Sequence, residues 1–251
     1  MTRKCKTALV MVTLTGFIAT TGHTAAAAVL NAAASGGDTR VDASGGSQDV
    51  GAFTNFVGEL YNFGNGTNTG IASVYVFDLP TIPVGEAIQD ANLTLSLTQR
   101  GTSNYAVDLY GLQRTSSSTT VTAGDYFEGP ADAANSLIVD NLADSTTLAG
   151  PLSASGATIA SFVAQRYASF GPGHDFEGND DFIFVRLNRD TTGPSAGYQP
   201  PYGFGAVNSQ DSAVRPTLSI TTAAVPEPTA IGLTAAALAA VSMRRRRPAA
   251  M

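Results

Sequence analysis

The sequence predicts an all-β domain, and three observations carry that prediction. Short runs of alternating apolar and polar residues recur along the chain; Gly, Ser, Thr, Asn and Asp punctuate them; and long helical periodicity is absent. Of the 251 residues, the central stretch over 29–223 is long enough for one domain with a real core. The only cysteine, Cys5, lies outside it, so neither disulfides nor thiolate metal sites hold that domain together.

Taken in order, Asn31 to Gly51 reads as a loose polar entry with one short strand near Thr39 to Asp42. Phe53 to Phe63 interleaves Phe53, Val57, Leu60 and Phe63 with small polar residues. It ends in the turn cluster Asn62-Phe63-Gly64-Asn65-Gly66-Thr67. Ile71 to Leu79 alternates, with Tyr75, Phe77 and Leu79 on a buried face and Val74, Val76 and Asp78 on the other. Pro80 to Gly85 breaks that strand. Ile88 to Leu97 sets Ala91, Leu93, Leu95 and Leu97 at period two opposite Asn92, Thr94, Ser96 and Thr98, the clearest half-buried strand of the chain.

Tyr105 to Leu112 gives another strand, with Tyr105, Val107, Leu109 and Gly111 opposite Asp108 and Tyr110. Arg114 to Ala123 is rich in Ser and Thr and reads as a loop or an edge strand. Within Asp125 to Gly156 only Ser136 to Asp140 stands out as a strand. Ala157 to Ala168 spaces Ile159, Ala160, Phe162, Val163 and Tyr167 as one short amphipathic helix. Phe182 to Leu187 is apolar on both alternations, so both its faces are covered. Tyr198 to Val207 is rich in Pro, Gly and Tyr, and Arg215 to Thr221 forms a last strand with Leu218 and Ile220 inward.

The two ends differ from this pattern. Arg3, Lys4 and Lys6 precede an apolar run from Ala8 to Ala19, with small residues up to Ala28 for cleavage, so residues 1–28 read as a signal peptide for the export machinery. Residues 224–251 contain Val225-Pro226-Glu227-Pro228, an uncharged Ala-rich run from Thr229 to Met243, then Arg244, Arg245, Arg246 and Arg247. The prolines keep the chain extended, the apolar run favours a helix, and the arginines hold its end on the cytoplasmic side. At fifteen residues the run is short of the ~20 that span a bilayer comfortably, as suits a temporary anchor. An N-terminal signal helix and a C-terminal membrane helix are therefore expected to flank the β domain.

This tail resembles the PEP-CTERM sorting signal. The resemblance implies an exosortase-like membrane protease as partner, export across the inner membrane, transient anchoring, and a final place on the cell surface or in an exopolysaccharide-rich biofilm matrix. A weaker resemblance covers the domain itself. Tyr75-Val76-Phe77-Asp78-Leu79, Ile82-Pro83-Val84-Gly85, Ile88 to Leu95 and the closing Arg215-Pro216-Thr217-Leu218 are similar to DNRLRE-type domains. That resemblance implies a jelly-roll-like antiparallel β-sandwich, of a kind in which some members bind polysaccharide. Those domains often carry tryptophans in their middle portion, and this chain has none.

Charge narrows the function classes. Seven of the 14 basic residues lie in the two end segments, leaving seven arginines and no lysine against 19 acidic side chains, a net charge near −12. Nucleic acid, whose phosphates need basic partners, is excluded as a partner. The densest polar cluster runs from Gly173 to Asp181. Its Asp175, Glu177, Asn179 and Asp181 place oxygen ligands at alternate positions, as a Ca²⁺ loop would, with a plain acidic loop as the other reading. Asp180 at the sixth position and Arg186 at the twelfth exclude an EF-hand. Tyr198, Tyr202 and Phe204 are candidates for stacking on sugar rings if exposed, and for closing the end of a sandwich if buried. No catalytic residues assemble from the sequence: His174 is the only histidine between the end segments, and no spacing singles out a nucleophile and base. The sequence thus points to an exported, non-catalytic structural protein, with a carbohydrate-binding module for exopolysaccharide as the alternative.

Overall fold

The computed structural model describes residues 27–35, 38–42, 47–48, 53–101, 104–177, 181–192 and 197–225; both expected terminal helices lie outside these described residues. Among the described residues no helix is long and apolar enough to cross a membrane. The strands are β1 (Ala28–Ala34), β2 (Thr39–Asp42), β3 (Ser47–Gln48), β4 (Thr54–Asn62), β5 (Thr67–Asp78) and β6 (Glu86–Gln99). Then follow β7 (Val107–Ser116), β8 (Ser136–Ala143), β9 (Gly150–Ser155), helix α1 (Ala157–Ser169), β10 (Phe182–Arg189), β11 (Tyr202–Gly205) and β12 (Thr217–Ala224). The strand pairings are antiparallel, and the expected all-β, sandwich-like architecture with one helix is present.

Two sheets face each other. In the first, β6 lies between β9 on one side and β12 and β11 on the other. In the second, the order runs β8, β7, β10, β5, with β4, β2 and β1 sharing the far edge of β5. Two strands belong to both sheets and close that flank. β1 pairs with β12 over Ala28–Ala32 and then with β5 at Ala33 and Ala34. β4 pairs with β11 as far as Val57 and with β5 from Gly58 onward. Strands that switch sheets turn corners by bends, and Gly58, at φ 124°, makes this one.

The open flank between β8 and β9 is filled by α1, which packs on β6, β7, β8 and β9. Gly156, at φ 92°, turns the chain out of β9 into the helix. Ile159, Phe162 and Val163 then bury their side chains at the expected helical spacing. The Phe162 ring lies over Gly111 of β7, so that a Cβ there would stand 2.4 Å from it. Gly111→Val is therefore expected to destabilise the fold by about 1–3 kcal/mol through overpacking, measurable by urea unfolding.

The main core lies between the sheets: Tyr75, Phe77 and Leu79; Leu93, Leu95 and Leu97; Val107 and Leu109; Ile183, Val185 and Leu187; Leu218 and Ile220. A second cluster sits on the outer face of β5 and β10, formed by Val74, Val76, Phe182 and Phe184 with Val41, Leu112 and Val121. The β7–β8 connection covers it, which is why both faces of β10 are buried as its apolar pattern predicted. Arg114 lays its guanidinium over the Phe184 ring at 3.9 Å and pairs with Asp125 at 3.3 Å, tying that connection down.

Candidate functional site

The β4–β5 hairpin builds the most distinctive patch on the described surface. Its turn is ordered by its own asparagines. Asn62 Oδ1 accepts from Gly64 N at 2.9 Å, Asn65 Oδ1 accepts from Thr67 N at 3.1 Å, and Gly66 N donates to Asn62 O at 2.9 Å. This turn holds Phe63 out in solvent, 80% exposed, with Tyr61 against it edge-on at 4.8 Å between centroids. Asn68 then donates to the carbonyl of Gly197 at 2.9 Å and binds the hairpin to a segment distant in sequence. That bond brings in Tyr198, 54% exposed, at 5.8 Å from Phe63 and 6.1 Å from Tyr61. The three rings border a shallow cleft of about 300 Å³ whose other walls include Arg40, Glu59 and Gln99.

Of the three aromatic residues proposed from sequence, only Tyr198 belongs to this patch. Tyr202 and Phe204 are fully buried on β11, which the loop-like composition of that stretch concealed. Tyr202 donates its hydroxyl to the carbonyl of Tyr105 at 3.1 Å and packs edge-on against the Tyr105 ring. Neither residue presents a face to a sugar, so the stacking role falls away for both. The rings beside Tyr198 are instead those of Tyr61 and Phe63. The signal available in sequence was two aromatic residues at the border of an Asn/Gly turn, where apolar side chains have little to cover them.

Three of the four candidate oxygen ligands before β10 lie among the described residues. Asp175 and Glu177 are exposed, and Asp175 Oδ1 accepts from Glu177 N at 2.9 Å. Asp181, the buried member, lies 2.7 Å from His174 Nε2; Asn179 falls outside the described residues. His174 is stacked on Phe170 at 4.9 Å and touches Phe176 edge-on, so its ring helps cover the end of α1. Among the described residues, no three His, Cys, Asp or Glu side chains converge on a common point.

Another set of charged groups is buried and tied into hydrogen bonds or ion pairs. Arg186, 1% exposed, donates to Asp132 Oδ2 at 2.7 Å, to the carbonyl of Asp125 at 3.0 Å and to Asn188 Oδ1 at 2.9 Å. Arg189 is bound by Glu59 and Glu128. Asp38 accepts from Asn55 Nδ2 at 2.9 Å and from Val207 N at 3.0 Å, while burial raises its pKa.

Asp108, buried like Asp38, also costs stability once it is ionised. Burial, with smaller contributions from the charges of Asp140 and Asp190, pushes its pKa up to about 6, against the lowering effect of the bond it accepts from Asn141 N at 2.9 Å. A carboxyl raised in the folded state is ionised first in the unfolded chain, so stability falls as pH rises from about 4 to about 6. Asp108→Asn, which keeps an acceptor for Asn141, is expected to flatten that fall and to raise stability at pH 7 by roughly 2–3 kcal/mol. Denaturant midpoints across pH 4–7 check it.

No family model matches the chain, and no curated protein matches it.

Proposed function

We propose that the chain is an exported, non-catalytic surface or matrix protein, a jelly-roll-like sandwich delivered by a PEP-CTERM-type tail to an exosortase-like protease. The observation that carries this reading is the fixed order of Pro226-Glu227-Pro228, apolar run and arginine cluster in the tail. The geometry of the domain is compatible with such delivery. Ala28 pairs with Thr222, so the export segment and the tail join the domain at one place, and Val225 leaves it after donating its N–H to Gly85 O at 2.7 Å. A domain entered and left at one pole can be held there without threading its core. Mass spectrometry of the protein recovered from its native host tests the sorting step. A mature chain starting near Ala28 and ending near Pro226–Pro228 is expected, whereas a tail intact through Met251 rules out cleavage.

A second reading, carbohydrate binding, is favoured by the exposed rings of Phe63 and Tyr198. Clusters of exposed aromatic side chains are uncommon on monomeric surfaces and mark contact sites.

A further inference from the structure

We propose that Tyr61, Phe63 and Tyr198 form a glycan-binding platform at the pole of the sandwich opposite the tail, and that its ligand is an uncharged polysaccharide. The inference rests on the carbohydrate-binding reading above and gives it a site and a ligand class.

The rings are held before any ligand arrives. Asn62 and Asn65 fix the turn under Phe63, Tyr61 supports that ring edge-on, and the Asn68–Gly197 bond fixes the chain beside Tyr198. Phe63 and Tyr198 tilt by 39° to each other, forming a bent apolar surface rather than a flat one. An aromatic face is electron-rich, and the C–H bonds along one side of a pyranose ring present weakly positive hydrogens to it. Such contact needs little reorganisation when the rings are already placed. Gln99, exposed at the cleft wall, supplies donors and an acceptor suited to sugar hydroxyls, the combination of apolar floor and few polar groups found in ligand sites.

Charge selects the ligand class. With seven arginines against 19 carboxylates, the domain as a whole repels a polyanionic chain. A neutral polymer meets no such penalty. Position agrees: β6 runs from Glu86, paired with Ala224 beside the tail, to Gln99 in the cleft wall. At about 3.3 Å per residue the two ends stand roughly 40 Å apart, so a tethered domain turns the platform outward.

The test is affinity electrophoresis of the full chain, purified in mild detergent, through native gels. The gels contain hydroxyethylcellulose, xyloglucan, galactomannan or dextran as neutral polymers, and alginate or xanthan as acidic ones. Retardation by at least one neutral polymer is expected, weakened about tenfold or more in Phe63→Ala and in Tyr198→Ala, with Leu148→Ala, exposed elsewhere, unchanged. Because Phe63 and Tyr198 are exposed, circular dichroism and the melting temperature should stay at the parent values and separate lost binding from lost folding. Neutral retardation that survives both substitutions overturns the platform and leaves the carbohydrate reading standing. Retardation by the acidic polymers alone overturns the ligand class. No retardation by any polymer overturns the carbohydrate reading, and the platform with it. A dimer in sedimentation that dissociates in Phe63→Ala assigns the patch to a second copy of the chain instead.

Discussion

Replacing Arg186 with methionine is expected to destabilise the domain by about 3–5 kcal/mol, the range for removing one partner of a buried ion pair. Methionine fills much of the space but carries no charge and no donors. Asp132 would keep the bonds from Ala134 N and Asn135 Nδ2, at 3.0 Å and 2.7 Å, and lose the cation it is paired with. The carbonyl of Asp125 and the amide oxygen of Asn188 would lose their donor as well. These groups all belong to the β7–β8 connection or the strand beneath it, so the cover over Val74, Val76 and Phe184 loosens with them. Guanidinium unfolding at pH 7 measures the loss. A change below 1 kcal/mol would mean that the connection is held by its apolar contacts alone.

The acid side of the same experiment is diagnostic. Burial by itself pushes the pKa of Asp132 up, but the hydrogen bonds from Asn135 and Arg186 and the Arg186 charge bring it below the usual carboxylate range. A depressed carboxyl contributes stability above its unfolded pKa, near 4, and that contribution is lost as pH falls through the folded value. The parent should therefore weaken below about pH 4 more than Arg186→Met does. Adding Asp132→Asn to Arg186→Met should restore part of the stability at pH 7, because no buried charge is then left alone.

Gly58→Ala is expected to cost about 3 kcal/mol, from left-handed backbone strain and a collision together. At φ 124° an L side chain is strained wherever it points, and here a Cβ would stand 1.8 Å from the Tyr105 hydroxyl and 2.5 Å from its Cζ. Tyr105 cannot retreat, since it is 2% exposed and packed against Tyr202. Gly85→Ala separates the two contributions. Its φ is 82° with nothing within 4 Å of the added atom, so strain alone remains and about 1 kcal/mol is expected. Thermal unfolding of both variants in parallel checks the difference. Equal losses would show that the space beside Tyr105 yields.

Much of the sandwich was legible in the sequence. Ala91, Leu93, Leu95 and Leu97 are buried as their alternation predicts, and α1 spans Ala157–Ser169 where the helical spacing placed it. Among the strands that escaped are β1, β9 and β11. In the first two only the small Ala32 and Ala154 are fully buried, with Leu30 and Leu152 partly covered against the core, and their registers come from partners rather than from their own pattern. β11 hides Tyr202 and Phe204 between glycines that composition assigns to loops. The aromatic patch escaped for another reason. Tyr198 meets Tyr61 and Phe63 through a hydrogen bond spanning 129 positions, a proximity no local pattern encodes. Arg186 left a fainter trace: a charge within a strand apolar on both faces has to find a buried partner.

The arrangement of β12 has a mechanical consequence. Its eight residues Thr217–Ala224 lie antiparallel to β6 over Glu86–Thr94, and Ala28–Ala32 of β1 flank it on the other side. Tension applied at Val225 against a grip at the opposite pole runs along these strands. Hydrogen bonds across such pairs are then sheared together rather than peeled one after another. Forced unfolding is governed by the unfolding barrier rather than by equilibrium stability, and collective shear raises that barrier. A domain of ordinary stability would thus resist tension through the direction in which it is pulled.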